Sequence, residues 1–384
     1  MMKTNLGLYV HIPFCERKCD YCDFNSGCYS KTIQKKYLDS LLSEIKLESN
    51  FYNDYILDTI FIGGGTPSLL SVEEITQLVE SINENFHINN DLEFTIEVNP
   101  NSANLEKLRA YRKLGINRIS IGAQSFVDEE LKLLGRLHNR ADIYKLVELA
   151  KEVGFININL DLMTSIPKQT FDSFKYSLDE ALDLDIQHIS AYSLIIEEDT
   201  PFGDMYAQGK DLNLPTEDED REIYHFLVNK LNEFKFNQYE ISNFAKTGFE
   251  CRHNIKYWRC SDYLGIGLGA HSRIQDLRME NYDNIMEYID NLSNGARATK
   301  NNQVLSKLDQ INEKIIMGIR MNRGLSIEEI NSEFEIDFIN DYSNEINKNI
   351  EKGYIEIVDD AIKLTSLGSD FSNIVELDFY RLED

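Results

Sequence analysis

The chain has 384 residues, of which 42% are hydrophobic, and 65 Asp and Glu residues against 39 Lys and Arg residues give it a formal net charge of −26. This length is enough for a large core and about two domains; the charge disfavours a nucleic-acid partner, and no run approaches the ~20 apolar residues of a membrane span. The first residues are too polar for a signal peptide, so we expect a cytoplasmic protein whose six cysteines bind metal or pack as thiols rather than form disulfides.

Six strand–helix units are predicted between residues 8 and 196. Runs of β-branched and aromatic residues predict strands over 8–14, 59–63, 94–99, 118–123, 156–163 and 188–194. Apolar residues spaced three and four apart predict helices over 31–48, 71–86, 104–115, 129–137, 142–154 and 171–184. Ser71 followed by Glu74 predicts a capping box at the start of the second helix. Repeated units of this kind imply parallel strands with right-handed crossovers, in either a barrel-like or a doubly wound sheet.

Polar segments follow the predicted strands at one end. They are "GGGTP" at 63–67, "EVNP" at 97–100, "GAQSF" at 122–126, "DLM" at 161–163 and "AYSL" at 191–194. The carboxyl ends of parallel strands meet at one edge, and in a barrel that edge is where binding sites are built. We therefore expect these segments to share one site.

The pattern changes after residue 200. A helix is predicted over 217–234, a short strand over 236–245, and a glycine-punctuated, aromatic-rich segment over 251–272. From about Ser306 we expect a separate unit of two or three helices followed by a hairpin that turns at Asp359 and Asp360. The predicted domains are residues 1–235, a connecting segment 236–300 and a C-terminal domain 301–384.

Three cysteines, Cys15, Cys19 and Cys22, lie within eight positions, and Phe24 occupies the place where a fourth cysteine would extend the series. A structural zinc site needs four ligands, usually as two separated pairs, and no second C-x2-C pair exists. A [4Fe–4S] cluster commonly takes four cysteines, so three would leave one iron with an open coordination position. The spacing favours such a cluster over zinc.

With an aromatic residue before the last cysteine, C-x3-C-x2-C resembles the signature of radical S-adenosylmethionine (SAM) enzymes. The surrounding "LYVHIPFC" and "KCDYCDF" resemble the family of oxygen-independent coproporphyrinogen III oxidases and their heme-chaperone relatives. The resemblance implies an α/β fold: a partial (β/α)6 radical SAM barrel with a small C-terminal helical, winged-helix-like domain. It also implies that the three cysteines hold a [4Fe–4S] cluster whose open iron chelates SAM.

The same resemblance implies which residues bind SAM. Gly64, Gly65 and Thr66 would contact the methionyl group, Glu97 would be the acidic contact, and Arg136 would pair with the carboxylate. Gln124 and Asp161 would hold the ribose hydroxyls, and Tyr9 and Tyr21 would pack near the sulfonium and adenine. The resemblance identifies no catalytic residue.

The segment "HNIKYW" separates the branches of this family. It carries His253, Asn254, Tyr257 and Trp258, which resemble the heme-binding H-N-x-x-Y-W motif of the chaperones. Neutral imidazole is a good axial ligand for heme iron, and aromatic residues offer flat apolar surface for a porphyrin. The coproporphyrinogen III oxidases of the family, which are dehydrogenases, carry a fourth cysteine where this chain has Phe24. Cys28, Cys251 and Cys260 are expected to be thiols outside the cluster.

Three functions remain open on these residues. The first is a heme chaperone that passes heme to acceptors such as respiratory cytochromes. The second is an oxygen-independent coproporphyrinogen III dehydrogenase that converts two propionates to vinyl groups, and the third is a class C radical SAM methylase. The first implies heme as a partner, an electron donor such as flavodoxin or ferredoxin, and peripheral membrane association during delivery. A homodimer is an open alternative.

Overall fold

The computed structural model describes residues 3–382. Its first half contains six parallel strands, and each is followed by helix. The strands are β1 (Thr4–Ile12), β2 (Tyr55–Gly64), β3 (Ile88–Val98), β4 (Arg118–Gln124), β5 (Asn157–Thr164) and β6 (His188–Ser193). The helices are α1 (Lys31–Ser49), α2 (Val72–Asn85), α3 (Leu105–Lys113), α4 (Asp128–Leu133), α5 (Arg140–Glu152) and α6 (Phe171–Asp183). All six predicted units are confirmed, with β1, β2 and β3 longer than predicted.

The order of the strands decides between the two predicted sheet types. Strands β1 to β6 pair side by side in sequence order, and every pair is parallel. A doubly wound sheet would reverse its order at a switch point. Sequential order with right-handed crossovers puts every helix on one face, so the sheet is that of a partial barrel. The capping box of Ser71 and Glu74 is also confirmed.

Side chains of the barrel strands alternate between two environments. On β3, Ile96 and Val98 are buried with the apolar core beneath the helices, while Thr95 and Glu97 occupy the alternate positions. The inner face of the barrel thus collects polar side chains from neighbouring strands, because successive residues of a strand point to opposite faces. This alternation creates a polar interior surrounded by an apolar layer.

The middle of the chain extends the same sheet at both edges. Its elements are α7 (Pro201–Ala207), α8 (Glu217–Glu233), β7 (Asn237–Glu240), β8 (Asn243–Ala245), α9 (Arg252–Trp258), β9 (Tyr263–Ile266), β10 (His271–Ile274), β11 (Leu277–Asn281), α10 (Ile285–Ser293) and β12 (Thr299–Val304). Strand β8 pairs antiparallel with β6, whereas β9 pairs parallel with β1 and is followed by the antiparallel strands β10 to β12. The single strand predicted over 236–245 was wrong, because the chain turns at 241–242 and forms the hairpin β7–β8.

The C-terminal unit has its own hydrophobic core. Its elements are α11 (Lys307–Ile319), β13 (Leu325–Ser326), α12 (Ile327–Phe334), α13 (Phe338–Asp341), α14 (Ser343–Glu351), β14 (Ile355–Val358), β15 (Ala361–Leu364), α15 (Ser366–Asp370) and α16 (Ser372–Phe379). The predicted hairpin is confirmed, and Asp359 and Asp360 have φ angles of 50° and 62°, as a type I′ turn requires. Four helices precede it within the described residues, one more than the maximum predicted.

Ionic and backbone contacts connect the C-terminal unit to the barrel. The guanidinium of Arg221 on α8 lies 2.9 Å from the carboxylate of Asp370, and the Asn322 N–H donates to the carbonyl of Tyr239 at 3.1 Å. Helix α11 also contacts α9. Across residues 3–382, no helix combines the length and apolar character needed to cross a bilayer.

Candidate functional site

The three cysteines lie on the loop between β1 and α1. The Cys15 N–H donates to the carbonyl of Gly27 at 2.9 Å, and the Cys22 N–H donates to the carbonyl of Cys19 at 3.3 Å. The loop therefore folds back on itself. All three thiols are half-buried and line one cavity of about 130 Å³, which we call the cysteine cavity. Burial raises the pKa of the Cys15 and Cys22 thiols.

The remaining cysteines lie elsewhere. Cys28 is exposed and donates through its Sγ to the carbonyl of Glu16, while Cys251 is buried at the start of α9 and Cys260 follows the end of that helix. None of these three lines the cysteine cavity.

The donor set fits a cluster better than a single ion. Among residues 3–382, no three His, Cys, Asp or Glu side chains converge closely enough to hold one metal ion. A [4Fe–4S] cluster distributes its thiolates over separate irons, so its ligands surround a volume and need not meet at one point. Three half-buried thiols lining a common cavity satisfy that requirement.

Gly64 and Gly65 at the end of β2, which we call the glycine loop, pack tightly against β1 and the cysteine loop. A Cβ on Gly65 would lie 2.8 Å from the carbonyl oxygen of Phe14 and 3.1 Å from the Sγ of Cys15. Gly64 has a φ of 109°, and a Cβ there would lie 2.5 Å from the ring of His11. Glycine is required at both positions because any side chain would collide with the neighbouring strand or loop.

Two half-buried carboxylates, on β3 and β5, line the same cavity. Glu97 accepts a hydrogen bond of 3.0 Å from the Gly64 N–H, and Asp161 accepts one of 2.7 Å from the Asn159 amide. Burial, reinforced by the nearby charge of Asp161, raises the pKa of Glu97 to about 8. Burial also raises the pKa of Asp161. Both groups would gain from a cationic or hydrogen-bonding ligand, which would restore part of the solvation lost by burial.

Arg136 reaches the cavity from the segment after α4. Its guanidinium donates to the side-chain oxygen of Asn99, to the carbonyl of Gly122 at 2.8 Å, and to the Sγ of Cys19 at 3.5 Å. Gln124 ends β4 with a φ of 66°, an uncommon conformation for a residue other than glycine. Such outliers cluster at functional sites, where the surrounding structure holds them in place.

Most of the residues predicted to bind SAM are close together. The members that line the cysteine cavity with the three cysteines are Tyr21, Gly64, Gly65, Thr66, Glu97, Gln124, Arg136 and Asp161. Tyr9 does not line it. Tyr9 instead lines two adjoining cavities, both of which share Glu97 with the cysteine cavity. Four of the five polar strand ends therefore contribute residues to the cysteine cavity, whereas the segment 191–194 does not line it.

The first adjoining cavity, which we call the inner cavity, has a volume of about 190 Å³ and lies within the barrel. His253, Asn254 and Tyr257 line it from α9. The imidazole of His253 lies 2.8 Å from the Thr59 hydroxyl through Nδ1 and 2.9 Å from the Tyr257 hydroxyl through Nε2. Both ring nitrogens are therefore occupied by hydrogen bonds. Burial and the positive charges nearby lower the pKa of His253 to about 3, so the ring is neutral.

Trp258, the last residue of the same motif, lies apart from the other three. It is absent from the walls of both adjoining cavities, and the guanidinium of Arg320, the residue that caps the C-terminus of α11, lies 5.9 Å from its ring centroid. Tyr257 and Trp258 are consecutive residues of a short helix and therefore point in different directions. The structure does not bring Trp258 together with His253, Asn254 and Tyr257.

Comparisons with known proteins point to the same family in both the N-terminal and the C-terminal part of the chain. The model of the radical SAM superfamily matches residues 9–181, and that of the HemN C-terminal domain matches residues 305–371. The heme chaperone HemW of Bacillus subtilis is 37% identical over 96% of this chain and 97% of its own length. The heme chaperone HemW of Lactococcus lactis is 34% identical over 98% of this chain and 97% of its own.

The chain belongs to the HemW family of radical SAM proteins. Its fold also matches a solved structure, the radical SAM enzyme coproporphyrinogen III oxidase (HemN) from Escherichia coli. The TM-score is 0.87 at 26% identity, covering 99% of this chain and 91% of that one. The radical SAM domain of a HemW protein implies a [4Fe–4S] cluster and SAM as cofactors.

The sequence alone did not single out every residue of the site. Asn99, Ser120 and Gly122 line the cysteine cavity, and Arg118, only 1% exposed, lines the inner cavity. Asn99 could have been found as part of the polar segment "EVNP". Arg118 gave no comparable signal, because a basic residue at the start of a predicted strand is usually exposed.

Proposed function

We propose that this protein is a heme chaperone that binds heme and transfers it to acceptor hemoproteins. One observation carries the proposal: a second adjoining cavity, which we call the rim cavity, has a volume of about 350 Å³ and is rich in aromatic residues. The aromatic side chains that line it are Tyr9, Phe24, Tyr257 and Tyr263. Flat aromatic surfaces suit a porphyrin, and the volume falls within the range of small-molecule sites.

The rim cavity adjoins the proposed cofactor site. It shares Phe24, Gly64 and Glu97 with the cysteine cavity. Phe24 occupies the position of the dehydrogenases' fourth cysteine, and its side chain is 59% exposed. An exposed phenyl ring at this boundary favours contact with an apolar ligand over ligation of iron.

The cofactors would be held by residues that line the cysteine cavity, together with Tyr9 from the two adjoining cavities. Cys15, Cys19 and Cys22 would ligate the cluster, and SAM would be bound by Tyr9, Tyr21, Gly64, Gly65, Thr66, Glu97, Gln124, Arg136 and Asp161. When bound, the cluster and SAM supply one-electron radical chemistry. The chain's own contribution is positional: the glycine loop allows close approach, Glu97 and Asp161 provide acceptors, and Arg136 provides donors for a carboxylate.

We also propose that the H-N-x-x-Y-W motif takes part in heme binding. Tyr257 would form part of the porphyrin-facing wall, with His253 and Asn254 supporting it from the inner cavity and Trp258 supporting α9 from the side of α11. The proposal also includes acceptors such as respiratory cytochromes and an electron donor such as flavodoxin or ferredoxin. It places the protein in the cytoplasm, with membrane contact during delivery. Membership of the HemW family is its support on these points.

The alternative is coproporphyrinogen III decarboxylation. It is favoured by the fold match to the HemN oxidase, which extends over 99% of this chain. Phe24 counts against it, since the fourth cysteine that marks the dehydrogenases is missing.

Substrate uptake and product analysis distinguish the two functions. The anaerobically reconstituted full chain would be titrated with hemin, then incubated with a heme-free cytochrome and assayed for transferred heme. In parallel it would receive coproporphyrinogen III, SAM and a reductant, and the porphyrins would be separated by chromatography. We expect the protein to bind hemin and transfer it to the cytochrome, and we expect no protoporphyrinogen to form from coproporphyrinogen III. Efficient decarboxylation without hemin uptake would instead establish the oxidase function.

A further inference from the structure

The histidines of this chain differ in whether their ring nitrogens are free. Five have a ring nitrogen within hydrogen-bond distance of a partner: His11, His138, His188, His225 and His253. The other two described histidines, His87 and His271, are exposed and have no such partner. A heme iron needs a neutral imidazole nitrogen with a free lone pair. Of these two, His271 lines the rim cavity and His87 does not.

His271 lies at the start of β10 and contributes to the wall of the rim cavity. Tyr9, Phe24, Tyr257 and Tyr263 line the same cavity. The other histidine in this wall, His11, is buried, with Nδ1 bonded to the Tyr9 hydroxyl and Nε2 bonded to the carbonyl of Asn25. His271 is therefore the histidine that faces an aromatic cavity with an available nitrogen.

The loop before His271 is held in place by buried groups. The Gly267 N–H donates to the carboxyl of Glu44 at 2.9 Å, and the Leu268 N–H donates to the hydroxyl of Tyr37 at 3.0 Å. Tyr37 in turn donates to the carbonyl of His11 on β1 at 2.7 Å. A site whose supporting backbone is fixed by buried hydrogen bonds holds its first contacts in position before the ligand arrives.

His253 has the opposite properties. It is 1% exposed, and ligation through either nitrogen would break its bond to Thr59 or to Tyr257. The inner cavity beside it is smaller than the rim cavity and is lined by Glu97, Arg118 and Asp161, whereas Glu97 is the one Asp, Glu, Lys or Arg residue among those lining the rim cavity. Desolvating those groups against a porphyrin face would cost free energy without returning a hydrogen bond.

We propose that His271 is the axial ligand of heme iron in the rim cavity, and that His253 is a positioning residue that holds Tyr257 in the cavity wall. This proposal rests on the proposed heme-chaperone function. The imidazole of His271 donates a lone pair to the iron and displaces a bound water, so no oxidant or reductant is needed. His253 acts through the hydrogen bond between its Nε2 and the Tyr257 hydroxyl, without touching the ligand.

Hemin and iron-free protoporphyrin IX separate ligation from cavity shape. The full reconstituted chain would be titrated with each, comparing wild type, His271→Ala, His253→Ala and the matched control His87→Ala. We expect His271→Ala to shift the Soret band and to bind hemin about tenfold more weakly, with added imidazole restoring both and protoporphyrin binding unchanged. His253→Ala should weaken hemin and protoporphyrin equally, without rescue by imidazole. His87→Ala should match wild type.

Two results would overturn the assignment. If His271→Ala left the hemin spectrum unchanged while imidazole rescued His253→Ala, the ligand would be His253 and the heme-chaperone function would stand. If the wild type bound neither hemin nor protoporphyrin, the heme-chaperone function itself would fail, together with the ligand assignment.

Discussion

The carboxyl group of Glu97 accepts a 3.0 Å hydrogen bond from the Gly64 N–H and so joins the end of β3 to the end of β2, where the glycine loop begins. Gly64 packs against His11 on β1, and the next residue, Gly65, packs against Cys15. The proposed SAM-binding acid, the glycine loop and the cysteine loop are thus one mechanically connected unit. Substitutions in this unit should affect the cluster and SAM in distinguishable ways.

The first prediction concerns the cluster ligands. Cys19→Ser should lose most of the iron, because two remaining thiolates cannot retain the cluster. Wild type purified anaerobically should contain about four iron and four sulfide per chain. Iron and sulfide analysis with the visible absorption spectrum would measure this. Cys28→Ser is the matched control, since Cys28 is exposed outside the cavity. Stoichiometric zinc in the wild type would refute the cluster.

The second prediction concerns SAM. Asp161→Ala should retain the cluster but weaken SAM binding by about 1–3 kcal/mol, because a ligand hydroxyl loses its buried acceptor. Isothermal titration calorimetry of the reconstituted protein would measure the change. Asp183→Ala, at an exposed position of α6, should leave the affinity unchanged. An unaltered affinity in Asp161→Ala would show that the residue has been assigned the wrong role.

The third prediction concerns the contact between the glycine and cysteine loops. Gly65→Ala should lower both the free energy of unfolding and the iron content, because its Cβ would collide with the carbonyl of Phe14 and with the Sγ of Cys15. Overpacking of this kind costs about 1–3 kcal/mol. Gly27→Ala is the control, since its Cβ would meet the Tyr29 ring at an ordinary 3.5 Å. Urea unfolding and iron analysis would compare them, and equal behaviour would contradict the prediction.

The fourth prediction concerns pH and Glu44. Burial raises the pKa of this carboxyl to about 8, so between its unfolded and folded pKa values the native state binds more protons than the unfolded chain. Its contribution to stability is complete below pH ~4.5 and is lost as the pH rises towards about 8. Glu44→Gln is neutral and of similar shape, so it should lack this dependence.

Urea unfolding of both proteins would test this. Between about pH 5 and pH 8, wild type should lose on the order of 3 kcal/mol more stability than Glu44→Gln. Glu97, whose pKa is raised in the same direction, is present in both proteins and cancels in the comparison. Parallel stability curves over this range would mean that Glu44 is already ionised in the folded protein.

The sequence predicted local elements better than their distant partners. Strands and helices were identified because side-chain alternation and helical spacing are local properties, and the hairpin at Asp359 and Asp360 was identified from two adjacent residues. The pairing of β9 with β1 was not foreseen, because nothing near Tyr263 indicates a partner at the start of the chain. The residue spacing also left the barrel and doubly wound sheets equally open until the strand order was known.

The same contrast between local and distant features applies to the candidate site. The cysteine spacing and the polar strand ends indicated the residues that line the cysteine cavity, since every parallel strand contributes its carboxyl end to one edge. The motif containing His253 could not reveal that both of its ring nitrogens are occupied, because Thr59 lies far away in sequence. Likewise, "GAHS" contains no local sign that the ring of His271 is exposed beside aromatic residues from β1, α9 and β9.

The parallel pairing of β9 with β1 has a consequence during synthesis. Gly7 pairs with Tyr263, and until that partner is made the outer edge of β1 has no neighbouring strand. At ribosomal rates of about 5–20 residues per second, this edge stays open for roughly 10–50 s. The nascent barrel thus presents an uncovered strand edge to other chains during that interval, and its greatest exposure to aggregation comes before residue 263 leaves the ribosome.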